Sequence, residues 1–290
     1  MTRVITLTTD FGISDGYVAS IKGVILGINA QAQIVDLTHS IDPQSVREAS
    51  FILHTTWRSF PDGAIHLAVV DPGVGSHRRS IAVKTPAGYF VTPDNGMLSY
   101  VLHEYGAKHT AQGPSAAQDI RKRPLPENCQ AVSLTRQQYW RHPVSPTFHG
   151  RDIFAPVAAH LSLDVPLDEL GERIDNLYTF PVPEPFRDTM GNLVGCIIHI
   201  DRFGNLITNF RKDDVPAKGA AVEIMNQRIS GMSQYYAQES GLMAVIGSSN
   251  YLEVSVRDDN AAQVLAARIG DAIKLLNPPS NQMVTGPTSR

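Results

Sequence analysis

VITLTTDFGISDGYVASIKGVILGINAQAQIVDLTH, residues 4–39, changes its hydrophobic period twice. VITLTT (4–9) is a short β-branched run. DGYVASIKGVILGINA (15–30) sets Val18, Ile21, Val24, Ile25 and Ile28 at helical spacing, and QIVDLTH (33–39) returns to a strand pattern. The alternation continues downstream. Residues 45–58 read as a helix through Val46, Ala49, Ile52, Leu53 and Trp57, with Phe51 partly off its face. AIHLAVVD (64–71) is a continuous apolar run ending in Asp, as buried parallel strands are. IAVKT (81–85) and YFVTP (89–93) flank Pro86-Ala87-Gly88 and predict a hairpin. NGMLSYVLHEYG (95–106) predicts a short helix closed by Gly106. Strands alternating with helices predict an α/β domain whose mainly parallel sheet is flanked by helices.

Between 111 and 146 the period is lost. GPSAAQDIRKRPLPENCQ carries three prolines and reads as a surface excursion, with AVSLTRQQYW (131–140) as one more strand or strand end. GRDIFAPVAAHLSL (150–163) puts Phe154, Val157, Ala158 and Leu161 back in helical register. The prolines of PVPEPFRD (181–188) are incompatible with a helix interior or a central strand. They mark a boundary between an N-terminal domain, 1–180, and a smaller one, 190–278. Beyond it NLVGCIIHIDRFGNLITNF, AAVEIMNQRI and LMAVIGSSNYLEVSV are short strands joined by turns, the pattern of a small antiparallel β-barrel or sandwich. The polar tail NPPSNQMVTGPTSR (277–290) is expected to be frayed.

Composition narrows the function classes. A chain that is 42% hydrophobic and 18% charged, with net charge −3, is neither disordered nor shaped for nucleic acid, since it has no basic stripe. It has no apolar run long enough to span a membrane, and its N-terminus lacks the features of a secretory signal, so a cytoplasmic location is expected. Cys129 and Cys196 are too few for a disulfide framework, and without HxxxH, HExxH or CxxC no dedicated zinc site is expected.

Four polar clusters follow strand or loop ends. Asp10, in TDFGISDG (9–16), can place two oxygens on neighbouring hydroxyls such as a ribose diol, where ligands meet an open α/β sheet. Ser14 and Asp15 serve equally well as helix caps. DPGVGSHRR (71–79) offers an Asp71–Arg78 charge pair, or merely a turn with solvated arginines. TFHGRD (147–152) centres on His149, a candidate general base or a surface residue, with Arg151 and Asp152 as a satisfied ion pair. DRFGNLITN (201–209) combines a carboxylate, an aromatic face and an amide suited to an amino acid or a base, although Arg-Phe-Gly-Asn also reads as a simple β-turn. His39 and His103, in apolar stretches, read as structural.

TTDFGxxDxYV, VVDPGVGxxRR, TPDNG, TFHGRDIFAPVAAHL and IDxFGNLxTN occur in this order, and together they resemble the S-adenosyl-L-methionine hydrolases (adenosine-forming), relatives of the fluorinases and chlorinases. The resemblance runs from about residue 4 to about 265, with a poorly matched gap at 111–144. It implies hydrolysis of S-adenosyl-L-methionine to adenosine and L-methionine, no cofactor, no nucleic-acid or membrane partner, and a homotrimer with its sites between subunits. It assigns Asp71, Arg78 and His149 to the attacking water, Asp71 also to the ribose edge, with His149 the expected proton acceptor beside Asp71. It assigns Asp10 to the ribose, and Asp15, Asp201, Phe203, Asn205, Ser248, Tyr251, Glu253 and Val256 to the substrate. The chain reads LEVSVRDDNA where the family reads close to LEIAVNGGSA, and it keeps the Asp and His that the halogenases lack. Two other classes remain open: a phosphatase holding Mg²⁺ or Mn²⁺ on Asp10, Asp15, Asp71 and Asp201, and a sensor that binds without catalysis.

Overall fold

The computed structural model describes residues 3–112, 119–216, 220–238 and 240–276. The tail 277–290 lies outside the described residues, as does 113–118 of the expected excursion. The chain divides after Val182 into two compact units, the second of which also takes the described residues 110–112.

The first unit is built on β1 (Val4–Thr9), β2 (Gln33–Thr38), β3 (Ala64–Val69), β4 (Ser80–Lys84) and β5 (Gly88–Pro93), with strands Gln130–Ser133 and Glu172–Ile174 completing seven. The spatial order is β2-β1-β3-β5-β4, then the two later strands. Pairs β1–β2, β1–β3 and β3–β5 are parallel, and β4 joins β5 as the antiparallel hairpin expected from Pro86-Ala87-Gly88. The helices are α1 (Tyr17–Ile28), α2 (Val46–Thr56), α3 (Ser99–Glu104) and α4 (Ala155–Ser162).

β3 shows why a continuous apolar run makes a central strand. Successive side chains point to opposite faces. Ile65, Leu67 and Val69 join Ile21, Ile25, Val157 and Leu161 on the α1/α4 side, while Ala68 and Val70 join Leu53, Trp57 and Val101 on the α2/α3 side. His66 shares the second side. Its Nδ1 lies 2.8 Å from Thr6 Oγ1 and its ring stacks on Phe90 at 4.9 Å. Burial holds its pKa down at about 4. The folded form therefore stays neutral while unfolded chains protonate near 6.5, and stability must fall as pH drops from about 6.5 to 4, by ~3 kcal/mol in all. Both tryptophans, Trp57 and Trp140, lie in this unit. Urea unfolding followed by their fluorescence should give this slope, and His66→Phe should remove its share. An equal slope in the variant would show that other groups carry it.

Two readings of the sequence are corrected. The excursion contains a strand, Arg121–Pro124, paired antiparallel with Asn176–Thr179. Its residues are largely exposed, so no apolar alternation marked it. The helix expected over 150–163 opens as a π-helical turn, Gly150–Phe154, before α4.

The second unit is antiparallel throughout its sheet. Its path runs Gln227–Ser230, Ala221–Ile224, Ala272–Leu276, Leu193–Ile200, Leu206–Arg211, Tyr251–Val256 and Leu242–Ile246. A bridge between Ser233 and Val245 draws the two ends together, giving a nearly closed barrel. Ile197, Phe210, Val222, Leu252, Val254 and Ile273 fill it. The proline-rich boundary contributes two short strands, Val182–Glu184 and Phe186–Arg187, of which the second pairs with Leu193 and Val194.

Candidate active site

β1 connects to β2 on one side while β3 leads to the other, so the strand order reverses between β1 and β3. Ligands of open α/β sheets bind at such a switch point, beyond the carboxyl ends of the strands. Asp10 follows β1 and Asp71 follows β3 by two residues. A cleft of about 670 Å³ opens there, lined by Asp10, Phe11, Tyr17, Gln44, Asp71, Phe148 and His149, among others.

Asp71 and His149 line this cleft, and Arg78 joins them from behind its wall. Arg78 Nε donates to Asp71 Oδ1 at 2.8 Å, and Nη2 donates to Asp71 Oδ2 and, at 2.9 Å, to His149 Nδ1. Nη1 donates to Ser80 Oγ at 2.8 Å, and the guanidinium lies 5.3 Å from the centre of the Phe154 ring. Every donor-bearing nitrogen of Arg78 is thus engaged. The pair is sheltered, with side-chain exposures of 6% for Asp71 and 10% for Arg78.

Neighbouring segments hold these groups in place. Asn95 Nδ2 donates to the Val70 carbonyl at 2.9 Å, fixing the backbone just before Asp71. Gly75 adopts φ +78°, and a Cβ there would sit 2.5 Å from the Pro146 carbonyl oxygen. Only glycine lets the 71–78 loop lie this close to the segment that carries His149.

The tautomer of His149 follows from its partner. A guanidinium can only donate. Nδ1 therefore accepts, and the neutral ring carries its proton on Nε2. Burial, reinforced by Arg78, pushes the His149 pKa below its ordinary value, while Asp71 and Asp152 pull the other way. Nδ1, whose lone pair a neutral His149 would use to take up a proton, thus already accepts from Arg78.

Asp10 Oδ2 accepts from the Gln44 backbone N–H at 2.8 Å. Asp15 is exposed and is not part of the cleft lining. The capping alternative is not met either, since Gly16 is the N-cap of α1 and no side chain bonds there. Gln44 and Tyr17 line the cleft without having been singled out, Gln44 because only the β1–β2 pairing brings it beside Asp10.

In the second unit, a cavity of about 730 Å³ is lined by Phe203, Asn205, Tyr236, Val256 and Asn260, among others. Phe203 is 77% exposed. Asp201 Oδ1 accepts from the backbone N–H groups of Phe203 and Asn205, each at 2.9 Å, and Oδ2 accepts from Asn205 Nδ2 at 2.9 Å. The carboxylate thus shapes the turn that presents Phe203 and Asn205. Glu253 Oε2 accepts from Tyr236 O–H at 2.7 Å, and burial pushes the Glu253 pKa up. Tyr251, expected to flank a base, is only 2% exposed and has Arg211 4.1 Å from its ring centre. Ser248 is exposed in the turn before Tyr251 and outside the cavity lining. Tyr236 was missed, because QYYAQES carries no pattern that marks it.

The family models of the SAM hydroxide adenosyltransferase N-terminal and C-terminal domains match residues 5–171 and 195–274. A relative named (R)-S-adenosyl-L-methionine hydrolase from Methanocaldococcus jannaschii is 32% identical over 94% of this chain and 95% of its own length. One of the same name from Thermus thermophilus is 34% identical over 94% and 100%. A fluorinase from Actinoplanes is 28% identical over 74% of each chain. Among solved structures, an uncharacterized conserved protein from Thermotoga maritima superposes with a TM-score of 0.81 at 32% identity, covering 94% of this chain and 100% of that one.

Proposed function

The chain belongs to the SAM hydroxide adenosyltransferase family, and from that premise we propose that it hydrolyses S-adenosyl-L-methionine to adenosine and L-methionine without a metal. The observation that carries the reading is the continuous hydrogen-bonded set Asp71–Arg78–His149 at the strand ends. The substrate's C5′ is bonded to a sulfonium, so methionine leaves as a neutral thioether and needs no acid. A water oxygen attacks C5′, the C–S electron pair goes to sulfur, and the water gives up one proton. Holding water and carbon in line supplies much of the rate. Asp71 is the acceptor: each carboxylate oxygen keeps a lone pair beyond the one used by Arg78. His149 offers its Nε2–H to the water oxygen, which orients the lone pair that attacks.

The defining experiment incubates purified protein with S-adenosyl-L-methionine and separates the products, with and without EDTA and with and without chloride. Adenosine and methionine in every arm support the reading. Activity lost to EDTA would favour a metal phosphatase-like chemistry, and a 5′-chlorinated nucleoside would favour a halogenase.

The role given to His149 sets a pH dependence. Its depressed pKa keeps it neutral at and above the ordinary value of about 6.5, so kcat should be flat there and fall only at lower pH, when protonation of Nδ1 breaks the Arg78 bond. His149→Gln retains one acceptor and one donor and should lose no more than about 10-fold in kcat, less than the removal of a general base costs. A loss of about 10³-fold in that variant would return the proton to His149.

Binding groups are divided between the units, with Asp10 in the first and Phe203 and Asn205 in the second. Together with the family resemblance, this supports a homotrimer in which each site draws on two subunits. Asp10→Ala and Asn205→Ala proteins should each turn over poorly, and mixing them under subunit exchange should recover activity. No recovery after verified exchange would count against shared sites.

A further inference from the structure

We propose that Asp152 is a positioning residue for this reaction, holding the Arg141–His149 segment so that His149 Nδ1 meets Arg78. The inference rests on the hydrolase reading above. Asp152 is completely buried, at 0% exposure, in the π-helical turn that follows His149. A buried carboxylate is costly unless its oxygens are satisfied. Here four donors satisfy it. Arg141 Nη1 reaches Oδ1 at 3.0 Å, Arg151 Nε reaches Oδ1 at 2.7 Å, Arg151 Nη2 reaches Oδ2 at 2.8 Å, and the Ser145 backbone N–H reaches Oδ2 at 2.9 Å. The Arg141 backbone N–H also donates to the Asp152 carbonyl at 2.8 Å.

These bonds close the loop from 141 to 152 at both ends and in its middle. His149 lies inside that closed loop. The side-chain hydrogen bond of His149 goes to Arg78, 71 positions away in the chain, so the ring reaches it only if its own backbone is held in place. The loop must do so, and Asp152 is the group on which the loop converges. Arg151, held by two bonds, lies 5.0 Å from the centre of the Phe148 ring on the cleft wall. The ion pair read from the sequence is therefore the hub of a wider set. The charged groups facing His149 are Arg78 and Asp71 from the 71–78 loop and Asp152 from its own turn.

The test combines kinetics with ¹⁵N-histidine NMR, using His149→Gln to assign the His149 signals. In the parent, His149 should show the Nε2–H tautomer. Asp152→Asn should lower kcat by about 10²-fold, the cost of a misplacement near 1 Å, with KM within about threefold. In the same variant His149 should lose its single tautomer. Should Asp152→Asn not fold, Arg141→Ala, at a half-exposed side chain, decides: kcat should fall several-fold and the His149 signals should move. Parental kcat, or parental His149 signals, in the folded variants overturns the proposal. A parent that gives no adenosine while its His149 tautomer still depends on Asp152 would fault the hydrolase reading and leave the positioning intact.

Discussion

Asp71→Asn is expected to lose about 10²–10⁴-fold in kcat while binding S-adenosyl-L-methionine nearly as well as the parent, the range seen when a positioned proton acceptor is removed. Two separate effects produce the loss. An amide can accept only on its oxygen, so one of the two Arg78 donors now faces an N–H₂ group and the fork is broken. The freed guanidinium also releases its hold on His149. On the proposed mechanism both interactions act chiefly on the water during attack, while the ribose diol is given to Asp10, so KM should change little. Steady-state kinetics beside calorimetric titration of the variant separates the two. A raised dissociation constant with unchanged kcat would make Asp71 a binding group and remove it from the proton transfer.

Phe154→Ala is expected to cost the first unit about 3–5 kcal/mol, as deletion of a buried aromatic ring does. The ring is fully buried in the cluster that joins α1 and α4 to β1 and β3. It also underlies the Arg78 guanidinium, so the folded fraction should turn over more slowly than the parent. Urea unfolding by tryptophan fluorescence reads this unit alone, because Trp57 and Trp140 both belong to it. A loss below about 1 kcal/mol would mean that the surrounding side chains close over the cavity, and that the ring does not set the position of Arg78.

The two variants fail differently because the site is layered. Asp71 is the proposed proton acceptor, Phe154 supports the residue that holds Asp71, and Asn95 and Gly75 fix the two loops on which the pair depends. Replacing Gly75 would therefore strain its own turn, where φ is +78°, and through Pro146 would also be felt at His149.

The periodic elements were legible in the chain because their cause is local. VITLTT is a β-branched run and AIHLAVV a continuous apolar one, residues 15–30 repeat at helical spacing, and prolines 181, 183 and 185 interrupt both kinds of pattern, so strands, helices and the boundary between units follow from neighbours a few positions apart. Asp10 and Asp71 could be placed at strand ends for the same reason. Arg121–Pro124 escaped because an exposed strand has no buried face to leave an apolar period. What only the tertiary structure decided are the partnerships between segments far apart in sequence: Arg78 with His149, Gln44 with Asp10, Asn95 with Val70, Asp152 with Ser145 and Arg141. The sequence named His149 and Asp201 but left their roles open. Which nitrogen of the ring accepts, and whether a carboxylate faces a ligand or its own turn, depends on which donors lie within about 3 Å, and that distance is set by packing rather than by spacing along the chain.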